Sequence, residues 1–450
     1  MPVFRSSVTA LGVLAVWVCL SSAFAASSPD GVRAEELPLP GAGALPAGAV
    51  GEFLGLNTHT VQFKPDRYVG VVKLLRDYHP VNWDLGGDTA VLPAWPEAKN
   101  RVNWRRVYGS WIDAGYAANV CLMMSHLPAD QWQDLPRDAG AYAASFAEHF
   151  GPGGEWPYVS SVGIGNEPGH YTDAQYLELF DAMSNAIRKA NPQLLITTCN
   201  VKAKPSGKYW KDVNLFKDRT QQFDVITTHC YAAVEGWPTW RRSYPEDPAI
   251  DFLKELQALI DWRDANAPGK PIWVNEFGWD ASTQTPAKEG AFKDWVDVTD
   301  DEQAAYLVRA TLVFMRMGVD RAYVYFFDDE DKPSVHASSG IMRHGRPKPA
   351  WRMLKQLQTL LGDYRFAEAV DEQPQRYVYR FEHKDDPRKQ ALICWAPTPA
   401  TPAEEVPWPQ GARKATAYQL TGGDAWIARR AADAPPALGV TPVVVLYETE

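Results

Sequence analysis

Up to about residue 362, apolar residues along this chain alternate between two rhythms. Short β-rich runs occupy residues 53–56, 81–85, 118–124, 160–164, 194–199, 224–228, 271–275 and 321–327. Between them the apolar positions recur at helical spacing. Trp104, Val107, Trp111 and Ile112 mark one such window over residues 103–114. Thr172 with Gln175 forms a capping box before another, which carries Tyr176, Phe180, Met183 and Ile187 on one face. Thr299 with Glu302 begins a third, and it stops at Gly318, a residue that tolerates the positive φ of a helix end. A last window covers 348–361, after Pro347-Lys348-Pro349. Strands separated by helices require parallel pairing and right-handed crossovers. Residues 51–362 are therefore predicted to close into a (β/α)8 TIM barrel.

Beyond Gly362 the helical windows cease. Runs at 377–381, 391–395, 415–420 and 443–447 are separated by polar, turn-rich segments, which predicts a small C-terminal antiparallel β-sandwich over 363–450. At the other end Arg5 precedes an apolar run over 8–19 and the small-residue pattern Ala23-Phe24-Ala25. This reads as a signal peptide, residues 1–25, cleaved near Ala25, and the Ala/Pro/Gly-rich residues 26–50 read as a flexible leader. The apolar run is short for a bilayer of about 20 helical residues, so no membrane span is expected and the product should be secreted or periplasmic.

Composition narrows the partner. A formal charge of −10 with interspersed signs offers no basic face to nucleic acid or to an anionic membrane. A neutral or mildly charged ligand fits better. The cysteines outside the signal peptide, Cys121, Cys199, Cys230 and Cys394, lie in apolar strand-like runs and read as buried small hydrophobes; a bridge from Cys199 to Cys230 would require neighbouring strands. No Cys/His spacing suggests a metal, and no cofactor motif is present. Of the 18 tryptophans most must be core, yet several fall in Gly/Pro/Asp loops.

In a β/α barrel the chemistry lies at the carboxyl ends of the strands. The fourth run ends Ile164-Gly165-Asn166-Glu167-Pro168, and the seventh ends Val274-Asn275-Glu276-Phe277-Gly278-Trp279. Two glutamates thus face each other across the mouth. Glycoside hydrolysis needs one carboxylic acid for the leaving oxygen and one carboxylate for the anomeric carbon. Glu167 is the expected acid/base and Glu276 the expected nucleophile. Asn166 is placed for a sugar 2-hydroxyl, and Tyr231 to hold the nucleophile. His126 and His229 follow strands three and six, although a lone histidine is as often structural. Asn57, His59, Trp83 and Asp84 are rim candidates after strands one and two, and Asn200 after strand five. Phe327 and Asp328 would floor the site, with Trp279 and one of Trp237 and Trp240 offered to pyranose rings. The segment 336–344 reads as a turn into the last helix.

These motifs together resemble clan A glycoside hydrolases. The stretch from Val102-Asn103-Trp104 to Gly115, the third strand ending His126-Leu127-Pro128, and residues 176–191 resemble family 39 of that clan. The family includes β-xylosidases, α-L-iduronidases and bacterial exopolysaccharide endoglycosidases. The resemblance implies a retaining mechanism and a β-sandwich after the barrel. Two departures stand out. The run His79-Pro80-Val81-Asn82-Trp83-Asp84 lacks the arginine common at the end of the clan's second strand. The residues before Glu167 lack the bulky aromatic and acidic groups frequent in xylosidases. The expectation is a secreted retaining β-glycosidase acting on an extracellular polysaccharide or oligosaccharide, tilted toward endo action by long loops after strands three, six and seven. The alternatives are an exo-acting β-xylosidase-like enzyme and a non-catalytic glycan-binding barrel.

Overall fold

The computed structural model describes residues 48–59, 64–205, 207–399, 404–409, 411–425, 427–430 and 436–449. The expected signal peptide and residues 26–47 of the leader lie outside the described residues. Eight strands form the barrel: β1 Leu54–His59, β2 Leu74–Pro80, β3 Ala117–Met123, β4 Val159–Ile164, β5 Leu195–Lys202, β6 Val225–Cys230, β7 Ile272–Phe277 and β8 Arg321–Val324. Each pairs in parallel with the next. Closure comes from β8 lying parallel to β1, with Leu54 opposite Ala322.

Helices α1 Trp104–Asp113, α2 Leu135–Phe150, α3 Asp173–Ala190, α4 Phe252–Asn266, α5 Asp300–Arg316 and α6 Pro349–Leu361 surround the strands. Both predicted capping boxes form, Thr172 with Gln175 and Thr299 with Glu302, because each threonine accepts from a backbone N–H that has no intrahelical partner. Among the described residues no helix is long and apolar enough to cross a membrane.

The second strand is not where the apolar run predicted it. Residues Val81–Leu85 form a short helix, and the strand is the preceding Leu74-Leu75-Arg76-Asp77-Tyr78-His79-Pro80. Its charges disguise it. Leu74, Arg76 and Tyr78 share the inner face at period two, and Asp77 and His79 point the other way. Inside the barrel the floor is apolar, made by Leu74, Val225, Trp273 and Tyr323. Gly55 is required there, since a Cβ at that position would stand 2.4 Å from the Tyr323 ring. Above the floor the interior becomes polar.

The C-terminal strands are β9 Tyr364–Gln373, β10 Arg376–His383, β11 Lys389–Trp395, β12 Arg413–Gln419, β13 Ile427–Arg430 and β14 Val443–Glu448. They form one antiparallel sheet in the order β9-β10-β11-β14-β12-β13, rather than two facing sheets. Both faces are nonetheless buried. Tyr379, Phe381, Ile393, Trp395 and Val444 join the barrel core, while Val378, Leu392, Cys394 and Val445 make a second cluster with Val406 and Leu438. At the junction Arg309 of α5 donates from Nε to Glu246 at 3.0 Å, and Trp395 Nε1 donates to the same carboxylate at 2.7 Å. Cys121, Cys199, Cys230 and Cys394 are buried and free, so Cys199 and Cys230 remain unbridged although β5 and β6 are neighbours.

Candidate active site

Two register shifts aim the side chains at the mouth. On β7 the pairing slips between Val274 and Phe277 against β8, and between Thr228 and His229 against β6. Trp273 belongs to the barrel floor while Val274 and Phe277 belong to the outer core. The slip therefore turns Glu276, rather than Phe277, inward. After β4, Gly165 adopts φ +87, a conformation that favours glycine, and the chain there delivers Asn166 and Glu167.

Glu276 is held by four neighbours. Tyr78 donates to its Oε1 at 2.7 Å and Arg76 Nη1 to the same oxygen at 3.1 Å; Tyr231 donates to Oε2 at 2.9 Å, with His229 Nδ1 at 3.3 Å. Burial alone would raise the pKa of this carboxyl. The charges of His229 and Arg76 and the Tyr78 hydrogen bond outweigh burial and hold it down at about 2. It is a carboxylate throughout the ordinary pH range. Burial, and next the Glu276 charge, push Tyr78 and Tyr231 well above the usual phenol range, so both remain O–H donors.

Arg76 does more than neutralise. Nη1 also donates to Asn57 Oδ1 at 2.9 Å, and Nη2 to Asn166 Oδ1 at 2.7 Å, which binds strands β1, β2, β4 and β7 into one network. Glu167 differs from its counterpart: its side chain is 31% exposed against 7% for Glu276. His229 Nδ1 lies 3.0 Å from Glu167 Oε1, and the His229 backbone N–H donates to Asn200 Oδ1 at 2.9 Å. One ligand atom each of Glu167, His229 and Glu276 lie within 4.8 Å of one another. That spacing matches two carboxylates set for a covalent intermediate, about 5 Å, rather than the wider gap that admits water. Geometrically the trio offers a cation three ligand atoms. Arg76 already supplies Glu276 with its positive charge, which disfavours a divalent ion there.

The sequence-derived candidates divide by place. Asn57, Asn166, His229 and Tyr231 converge on the glutamates, and His59 stacks on Tyr78 with centroids 5.2 Å apart. His126 is exposed on the loop after β3, and Trp237, 62% exposed, stands on the loop after β6. Trp240 instead packs on Phe292. Asp84 and Trp83 are not rim residues. The true β2 ends at Pro80, and the helix that follows carries them behind the strand, where Trp83 stacks on Trp104. There Asp84 is sealed, accepting from Tyr142 at 2.6 Å and from Trp104 Nε1 at 2.7 Å. Trp279 is 1% exposed, packed on Phe252 and Tyr306 with Nε1 donating to Ser243 O at 2.7 Å. Phe327 is buried edge-on to Tyr68, and Asp328 accepts from the Gly345 N–H. None of these five lines the site.

Sequence reasoning missed Arg76, Tyr78, Arg242, Tyr325 and His336. The alternation Leu74-x-Arg76-x-Tyr78 was a signal for the first two. Arg242 and His336 lie in loops, where no periodicity marks them. The arginine that the run 79–84 lacks is Arg76, inside the true second strand.

A closed β/α barrel carrying this carboxylate pair at the ends of strands four and seven defines a retaining glycosidase of clan A. Residues 163–403 match the model of the Glycosyl hydrolases family 39, and the chain belongs to that family. Its substrate is a carbohydrate. The fold is similar to a family 39 glycoside hydrolase from the gut symbiont Bacteroides cellulosilyticus WH2 (18% identity, covering 90% of this chain and 83% of that one, TM-score 0.63). It is also similar to a glucosidase from Croceicoccus marinus (13%, 91% and 98%, TM-score 0.58). A third is CelM2, a bifunctional glucanase-xylanase from a metagenome library (12%, 90% and 97%, TM-score 0.55). No curated protein matches the sequence.

Proposed function

We propose that Glu276 is the nucleophile and Glu167 the acid/base of an endo-acting β-glycosidase that cleaves an extracellular polysaccharide. The observation that carries the assignment is the contrast between the carboxyls: Glu276 is buried, ionised and held by donors, while Glu167 stands at the opening. In the first step a Glu276 oxygen attacks the anomeric carbon, the glycosidic C–O bond breaks, and Glu167 gives its proton to the departing oxygen. In the second, Glu167 takes a proton from water, whose oxygen displaces Glu276 and releases the sugar with its configuration retained. Asn166, its Oδ1 occupied by Arg76, turns its amide N–H groups toward a sugar hydroxyl. Exposed Tyr209 and Trp237 on the loops after β5 and β6 offer aromatic faces at the carboxyl ends of the strands, which supports endo action on a long chain. The pattern over residues 1–25 supports export.

The test incubates the protein with activated 2-deoxy-2-fluoro-glycosides and reads its intact mass. A covalent adduct mapped to Glu276 is expected, and an adduct elsewhere would refute the assignment. Products from a polysaccharide panel should be oligosaccharides, whereas monosaccharide alone would make the enzyme exo-acting. Glycan binding without turnover across the panel would leave a binding barrel.

A further inference from the structure

The loop after β8 puts a histidine beside the nucleophile's partner. His336 has φ +64, a left-handed conformation unusual outside glycine, and its carbonyl is tied down by Ser339 Oγ at 3.2 Å. Its ring lies 4.6 Å from that of Tyr231, the tyrosine bonded to Glu276, and 5.3 Å from that of Tyr325. The ring is wedged between two site tyrosines, and backbone strain is the cost of placing it there.

Arg242 settles which nitrogen faces the cleft. Its guanidinium lies over the Tyr231 ring at 4.7 Å, donates from Nη1 to Gly278 O at 2.7 Å, and brings Nη2 to 3.3 Å from His336 Nδ1. A guanidinium has no lone pair to offer, so Nδ1 is the acceptor and the ring proton sits on Nε2. Among the described residues no hydrogen bond engages Nε2, and the atom is not sealed in the core. The groups facing this ring are Arg242, Asp280, Glu276, His229, Tyr231 and Tyr325. Burial, then the Arg242 charge, hold the imidazole down at about 4 against the pull of Asp280 and Glu276, so it works as a neutral donor. Among the described residues the two arginines of the site are already matched, Arg76 by Glu276 at 3.1 Å and Arg242 by Asp280 at 3.0 Å. Neither is spare for a substrate carboxylate.

Resting on the glycosidase reading above, we propose that His336 is a specificity-determining residue. Its Nε2–H donates to one hydroxyl of a neutral sugar whose anomeric carbon faces Glu276.

The experiment measures kcat/KM on 2,4-dinitrophenyl β-glycosides of glucose, galactose, mannose, xylose and glucuronic acid. It then uses the mono-deoxy series of the preferred sugar, with wild type, His336→Phe, His336→Asn and His336→Gln. Asn is included because it accepts a left-handed backbone well, which guards against a folding failure. His336→Phe and His336→Asn should each lose about 10- to 100-fold on the parent glycoside. Both should lie within about twofold of wild type on the single deoxy glycoside that lacks the bonded hydroxyl. His336→Gln, which restores an N–H at similar reach, should recover part of the loss. An equal loss on every deoxy glycoside would overturn the proposal in favour of a structural role, and so would no loss at all. Preference for the glucuronide would overturn the neutral-sugar part. Glu276→Ala separates the two readings. If it matches wild type across the panel, the glycosidase reading fails and this one with it. If it is inactive while the His336 variants are unchanged, only this one fails.

Discussion

Arg76 and Glu276 are 200 residues apart in the chain and 3.1 Å apart in the barrel. Both side chains are almost sealed, 2% and 7% exposed. An ion pair this dry is costly to break from one side, because the remaining charge has neither water nor partner, a loss of about 3–5 kcal/mol. The pair couples the stability of the barrel to the readiness of its carboxylate.

Removing Arg76 should therefore show in the pH profile. With Glu276 depressed to about 2 from an ordinary 4.5, the stability it contributes is complete above about pH 4.5 and drains away as pH falls toward 2. That contribution is about 3 kcal/mol. Arg76→Met raises the carboxyl, so the acid limb of kcat/KM should move to higher pH by a unit or more, and the acid dependence of stability should flatten. An unmoved limb would mean that Arg76 does not set the carboxylate.

Glu167→Gln removes a proton donor without removing volume. Turnover of substrates with poor leaving groups should fall about 10²–10⁴-fold. The first step on dinitrophenyl glycosides, which need no protonation, should change far less. Stopped-flow release of dinitrophenol checks this, and equal losses on both substrate types would contradict it.

In the barrel floor, Gly55→Ala places a methyl 2.4 Å from the Tyr323 ring. The expected cost is about 1–3 kcal/mol by chemical denaturation. Combining it with Tyr323→Leu should recover most of that loss, and strict additivity of the two changes would refute the clash.

Trp395→Phe deletes one N–H bonded to a buried carboxylate and leaves part of the indole's buried volume empty. About 1.5–3 kcal/mol of stability should be lost. Because Glu246 belongs to the loop that carries Arg242 and Tyr231, kcat/KM should drop as well. Stability loss with unchanged kinetics would show that the junction is only structural.

Much of this was legible from spacing. Two glutamates after the fourth and seventh runs, an asparagine before one of them and a tyrosine after the sixth converge because strand order fixes where strand ends meet. The misplaced second strand has a physical origin. A strand lining a polar active site carries charge inward, so Arg76 breaks the apolar pattern, Asp77 on the other face breaks it again, and the apolar run Val81–Leu85 beside them is a helix. Trp279 misled for a different reason: Gly278 crosses tightly under the Tyr325 carbonyl, and the next residue turns into the core against Phe252 and Tyr306. His336 carried no sequence signal, since only the folded loop brings it to Tyr231.

The carboxylate of Glu246 receives one donor, Trp395 Nε1, from the far end of the chain, and its partner Arg309 donates to Pro397 O there. All eight barrel strands and α6 leave the ribosome before those residues do. A barrel folding during synthesis thus closes its wall early but finishes the loop above Glu167 and Glu276 late. A nascent chain halted after α6 would hold both glutamates without the Trp395 bond to the loop that carries Arg242.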